Sequence, residues 1–138
     1  MVKISAEYQN QLRCRAIHGP SGNALLTDAP VDNHGKGESF SPSDLVATAL
    51  GTCMMTVMGI VAERDRIPYE GVRVEVIKEM ATAPPRRIAR LQVRLEMPGG
   101  LTPDQRKKLE NTAHFCPVHR SLHPDIEVDL EFVYPDAP

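Results

Sequence analysis

The sequence predicts an α+β domain, antiparallel sheet around a buried helix, with elements in the order βββ-α-ββ-α-β. Three observations carry that prediction. Residues Leu45 to Arg66 contain no Pro and are apolar on nearly every face as far as Ala62, with Thr48, Gly51, Thr52, Thr56 and Gly59 as small exceptions. A helix apolar all round belongs in a core. Segments on both sides alternate apolar and polar residues with a period of two, the pattern of half-buried strands. Clusters of Gly, Pro, Asn and Asp separate these segments.

Each element follows from its residues. Val2, Ile4 and Ala6 alternate with Lys3, Ser5 and Glu7; Gln9-Asn10-Gln11 makes a turn; Leu12, Cys14 and Ala16 then alternate with Arg13, Arg15 and Ile17. After the turn His18-Gly-Pro-Ser-Gly22, Ala24–Thr27 forms a third short strand, and residues 28–41 read as a loop. Ser41-Pro42-Ser43-Asp44 opens the long helix with a capping hydroxyl, a Pro at the first position and an acidic residue at the third. Val72, Val74 and Val76 begin a strand reaching about Ala81. Leu91, Val93 and Leu95 define one face of a strand over residues 88–97, the two forming a long antiparallel hairpin. Thr102-Pro103-Asp104 starts a second helix that runs to about Phe115 and breaks at Pro117, and Ile126–Val133 is the last strand.

At 138 residues, the chain is expected to be one domain, 1–138, with a core of its own. A net charge of −2 favours neither nucleic acid nor an anionic membrane. No stretch approaches about 18 consecutive apolar residues, so no membrane helix is expected, and the N-terminus lacks the apolar core of a signal peptide. Three cysteines, an odd number, argue against a secreted disulfide framework and for a cytoplasmic location. With six Met and no Trp, the core relies on aliphatic and Met side chains.

Two cysteines are the chemical candidates. Cys53 lies in the apolar helix, where a free thiol ordinarily serves as a small hydrophobe, too far from the helix N-terminus for the dipole to activate it. Its activation requires an external cation, for which Arg13, Arg15 and Arg120 are available. Cys116 follows 63 residues later, where the second helix breaks, among His114, His119 and Arg120. Read by residue type alone, it is the better placed for reactivity, because a helix break exposes backbone and gives mobility. Neither belongs to a CxxC pair, so any partnership between them must come from the fold. His114, Cys116, His119 and His123 are also zinc-type ligands. The absence of a second Cys pair and the positions of Pro117 and Pro124 argue against that alternative, and no metal is expected. Cys14 reads as core filler.

The segment Gly35-Lys-Gly-Glu-Ser-Phe-Ser-Pro-Ser-Asp-Leu-Val-Ala-Thr-Ala-Leu-Gly-Thr-Cys53, with Cys116-Pro-Val-His-Arg-Ser-Leu122, resembles the OsmC/Ohr family of osmotically inducible and organic hydroperoxide resistance proteins. The resemblance extends over essentially the whole chain. It implies an intertwined homodimer in which antiparallel sheets wrap around central helices, and an antioxidant role in oxidative stress. It further implies a peroxidase needing no cofactor: the thiolate at Cys53 attacks an organic hydroperoxide and becomes a sulfenic acid. Cys116 then condenses with it to a disulfide, and a dithiol reductant, a lipoylated protein in studied members, reopens it. Arg15, with Arg13 as the alternative, takes the place of the arginine that stabilises the thiolate.

At one position the sequence departs from that pattern. Hydroperoxide-reducing members carry Glu directly after the Pro that opens the helix, where this chain has Ser43. In those members the Glu fixes the activating arginine; here Glu38 and Asp44 are the carboxylates that could replace it. The departure supports the alternative reading, an OsmC-like dimer with little or no turnover that binds a small apolar ligand at its interface.

Overall fold

The computed structural model describes residues 1–136. Its elements follow the predicted order: β1 (Ile4–Tyr8), β2 (Arg13–His18), β3 (Ala24–Asp28), α1 (Pro42–Asp65), β4 (Arg73–Met80), β5 (Ile88–Glu96), α2 (Pro103–His114), a one-turn α3 (Pro117–Ser121) and β6 (Glu127–Val133), with a 3₁₀ turn at Val31–Asn33. The chain divides into two compact units, residues 1–46 and the part beginning at Ala47.

In the first unit β1, β2 and β3 form an antiparallel sheet in sequence order, with Tyr8 opposite Cys14 and Arg13 opposite Asp28. Asn10, Gln11 and Leu12 all take positive φ to make the first turn, which the Gln9 N–H closes by donating to the Arg13 carbonyl at 2.8 Å. The sheet keeps little of its apolar surface to itself: Ile4, Tyr8, Leu25 and Leu26 are exposed. The loop after β3 folds tightly, and a Cβ on Gly35 would lie 1.7 Å from the Ala29 carbonyl oxygen, so only glycine fits there.

Ser41 caps α1 as its hydroxyl predicts. Its Oγ accepts from the Asp44 N–H at 3.1 Å, and the Asp44 carboxylate accepts from the Ser41 N–H at 2.8 Å, which completes a capping box. At the other end Arg66 takes φ 54°, the Ile67 N–H donates to Ala62 and the Arg66 N–H to Glu63. These are the two bonds of a Schellman motif, closed here by a non-glycine residue in the left-handed region. Arg66→Gly is therefore expected to raise the unfolding free energy by about 1 kcal/mol, to be read from the urea midpoint at unchanged m-value.

In the second unit β4 and β5 form the predicted antiparallel hairpin. β6 departs from the antiparallel expectation: it lies parallel to β5, with Val93 opposite Leu130. The reason is the connection, since α2 and α3 return the chain to the end of the sheet where β5 began. Leu91, Val93 and Leu95 are buried as their alternation predicts, and they meet Leu50, Met54, Met58, Leu109 and Ala113 in one core. Gly51 lets α1 approach β4 closely, because a Cβ there would stand 2.8 Å from a Val76 methyl.

Two further sequence expectations need correction. α1 is long and apolar enough to cross a membrane by length and composition, although no such segment was expected. Nor is it buried all round within its own chain: Ala47, Leu50, Gly51, Met54, Met58 and Ala62 form its covered face, while Ile60 is 61% exposed.

Candidate functional site

Cys53 and Cys116 come together within the second unit. Cys53 is held midway along α1, half-buried, against the core cluster to which Cys116 belongs. The two thiols lie within hydrogen-bonding reach of each other. Two residues 63 positions apart are thus paired by the packing of the α2–α3 junction on α1.

The junction explains how Cys116 is oriented. Thr102 caps α2 with a full capping box, its Oγ accepting from the Gln105 N–H at 3.2 Å and the Gln105 side chain accepting from the Thr102 N–H at 3.0 Å. Leu109 and Ala113 bury the inner face of that helix. The chain leaves α2 at Phe115, and Pro117 restarts a helical turn for which Cys116 is the N-cap. Its sulfur accepts from the His119 N–H at 3.4 Å.

The break in the helix does not expose the Cys116 thiol. Cys116 is fully buried, whereas Cys53 is the partly accessible member of the pair. Burial first, and then the neighbouring Cys53 thiol, push the Cys116 thiol above its ordinary pKa, while the N–H groups of His119 and Val118 pull the other way. A neutral thiol is the resting form that this balance favours.

The surrounding side chains are engaged elsewhere. The His114 ring packs against Phe132 at 6.5 Å, and the Arg120 guanidinium lies over Phe115 at 5.6 Å. His123 Nδ1 accepts from the Asp125 N–H at 3.1 Å. Among the described residues, no three His, Cys, Asp or Glu side chains converge as metal ligands.

A second cluster lies in the first unit. Arg13, half-buried on β2, donates to Glu38 and lies 3.6 Å from Asp28. Asp28 is itself buried and accepts from the Glu38 N–H at 3.0 Å. Glu38 thus holds Arg13, not Arg15; Arg15 is exposed on the same strand, opposite Leu26. Asp44 takes part in the helix cap, and the Ser43 hydroxyl lies 3.2 Å from that of Ser41. Of the two carboxylates beside Arg13, Glu38 is a candidate in the sequence and Asp28 is not. The signal available for it was an acidic residue ending an apolar strand, which reads equally well as a turn residue.

Along α1 beyond Cys53, a groove of about 720 Å³ is lined by Thr56, Ile60, Ile67 and Tyr69 and edged by the charged Glu63, Arg66 and Glu70. The Tyr69 hydroxyl donates to the Met55 carbonyl at 2.7 Å, and burial raises its pKa to about 12.

An α+β chain with a half-buried free thiol on its central helix, set against a buried free thiol at a helix junction, presents two neighbouring cysteines within one core. Comparison with known proteins gives the family: residues 35–131 match the model of the OsmC-like protein family, and the chain belongs to it. It is 28% identical over 130 residues to an uncharacterised protein of Acinetobacter baylyi, covering 86% of this chain and 90% of that protein. A Psychrobacter arcticus protein, provisionally described as an osmotic-stress-induced and detoxification-response protein, superposes with a TM-score of 0.91 at 44% identity, over 96% of each chain. An organic hydroperoxide resistance protein of Legionella pneumophila shares the fold with a TM-score of 0.72 at 20% identity, again over 96% of each chain.

Proposed function

We propose that the chain is a cytoplasmic, thiol-dependent peroxidase that reduces organic hydroperoxides. The observation that carries this reading is the pairing of a partly accessible Cys53 with a buried Cys116. The Cys53 thiolate attacks the terminal oxygen of the hydroperoxide, the O–O bond breaks, and an alcohol leaves with a proton while Cys53 becomes a sulfenic acid. Cys116 attacks that sulfur, water leaves, and a disulfide remains. An external dithiol, a lipoylated protein by family resemblance, reduces the disulfide and is itself oxidised.

An arginine of β2 supplies the cation that arms Cys53. The family pattern puts Arg15 first and Arg13 second. The grip of Glu38 and Asp28 on Arg13 gives that residue the carboxylate partner which Ser43 no longer provides, and weighs in its favour. The acting unit is a homodimer, a reading supported by the apolar surface that one chain leaves uncovered at Ile4, Leu25, Leu26 and Ile60.

The test is the intact mass of the reduced protein after one equivalent of cumene hydroperoxide. Loss of two hydrogens per chain within seconds, absent in Cys116→Ser, is the expected result; thiols that stay unreacted would overturn it. Unreacted thiols would favour the second reading, a non-enzymatic binder of a small apolar ligand. That reading is favoured by the groove at Thr56, Ile60 and Tyr69, whose size suits such a ligand.

A further inference from the structure

We propose that Cys53 and Cys116 together form a binding site for a trivalent arsenical carrying one organic group, held as a neutral bridge between the two sulfurs. The inference goes beyond the peroxidase reading and needs nothing from it except that both thiols are reduced.

Four features of the pair define the ligand. Both cysteines are free, and their sulfurs lie within hydrogen-bonding reach of each other. Adjacent sulfur ligands select soft acceptors over hard oxygen-seeking ions. Among the described residues, no third His, Cys, Asp or Glu joins them as a ligand. Zinc, which closes a structural site with four protein ligands, would find half its shell here. Charge narrows the choice further. Cys116 is fully buried in one apolar cluster with Met54, Leu109 and Ala113, so a bound group must leave no net charge there. Two thiolates around Cu(I) keep a negative charge, whereas two thiolates on an organoarsenic(III) centre are neutral. The mercuric adduct is neutral as well, but it is linear, and its sulfurs must be driven apart through a packed core. Pyramidal arsenic, with bonds close to right angles, spans sulfurs that are already neighbours.

The binding step is a ligand exchange with no change of oxidation state. The sulfur of half-buried Cys53 attacks the arsenic of the dihydroxy arsenical; one As–O bond breaks, and the hydroxide leaves with the thiol proton as water. The arsenic now stands beside the Cys116 sulfur, which displaces the second hydroxide in the same way. Two As–S bonds have replaced two As–O bonds, and two waters have left. Cys53 thus delivers the arsenic to a thiol that solvent does not reach directly. Because the second bond closes within the chain, Cys116 acts at high effective concentration. Arsenate, which must first be reduced, is no ligand for this site.

The probe is phenylarsine oxide, one equivalent added to the reduced full-length protein. Intact mass is read together with alkylation of the remaining thiols, located by peptide mass. Expected is a gain of one phenylarsenic group less two hydrogens, with Cys14 the one thiol still open to alkylation. The adduct is expected to survive about 100-fold excess mercaptoethanol and to be released by the vicinal dithiol dimercaptopropanol. Cys53→Ala and Cys116→Ala are each expected to weaken binding at least about 100-fold, at urea midpoints that show both variants folded. An adduct that leaves Cys53 or Cys116 open to alkylation, or that mercaptoethanol strips, overturns the inference. So does a protein that retains mercuric ion but not phenylarsine oxide. Disulfide closure by cumene hydroperoxide without retention of the arsenical would sink this inference and leave the peroxidase reading standing. Retention by thiols that peroxide does not oxidise would do the reverse.

Discussion

Cys53→Ser is expected to lower the rate of organic hydroperoxide consumption at least about 1,000-fold, equivalent to about 4 kcal/mol of transition-state stabilisation. Serine is close in shape, so the core around Leu50 and Met54 is kept, but its hydroxyl stays protonated where a thiol can ionise. Cys116→Ser is expected to separate the steps. One equivalent of peroxide is consumed at the wild-type rate, a sulfenic acid accumulates at Cys53 and is trapped by a cyclic diketone, and turnover stops. The measurement is peroxide loss with the reductant in excess, together with the mass of the trapped adduct. Full turnover in both variants would remove the two thiols from the mechanism, and a Cys116→Ser enzyme that fails in the first step would show that Cys116 helps to arm Cys53. Arg13→Gln and Arg15→Gln, assayed for the same first step, then tell which arginine acts.

The same pair shows how far the sequence can be read. Helix and strand periods, Ser41 before Pro42 and Thr102 before Pro103 were legible, because caps and alternation are local and the chemistry that produces them lies within four residues. The Cys53–Cys116 contact is not local. It depends on the packing of the α2–α3 junction against α1, and residue types alone do not tell which of the two thiols is the buried one. The parallel pairing of β6 was hidden for a similar reason. Alternation places Val128, Leu130 and Phe132 on one face but is blind to strand direction. Arg13 and Arg15 are equivalent cations in the sequence, whose strand register is not local information; the register that sets Arg13 opposite Asp28 distinguishes their surroundings.

The apolar helix makes the second large prediction, because its faces looked alike in sequence and differ in the fold. Leu50 is fully buried among Leu91, Leu95 and Met54. Leu50→Ala should lower the unfolding free energy by about 2–5 kcal/mol, the transfer of the lost methyl groups plus the cavity they leave. That loss is the same at every protein concentration, since it belongs to the chain's own core. Ile60, ten residues on, is 61% exposed. Left in water, it would tolerate Ile60→Glu with a change within about 0.5 kcal/mol. Under the proposed dimer the outcome differs: a carboxylate placed on the covering face weakens assembly, and the melting temperature loses its dependence on protein concentration. Thermal unfolding of the wild type and both variants over a hundredfold range of concentration, with sedimentation to give the mass, separates the cases. A parallel drop for Leu50→Ala and a flattened dependence for Ile60→Glu would establish that α1 serves two cores, one within the chain and one between copies. A wild-type melting temperature independent of concentration, with the mass of a single chain, would leave the outer face of α1 to the apolar ligand of the second reading.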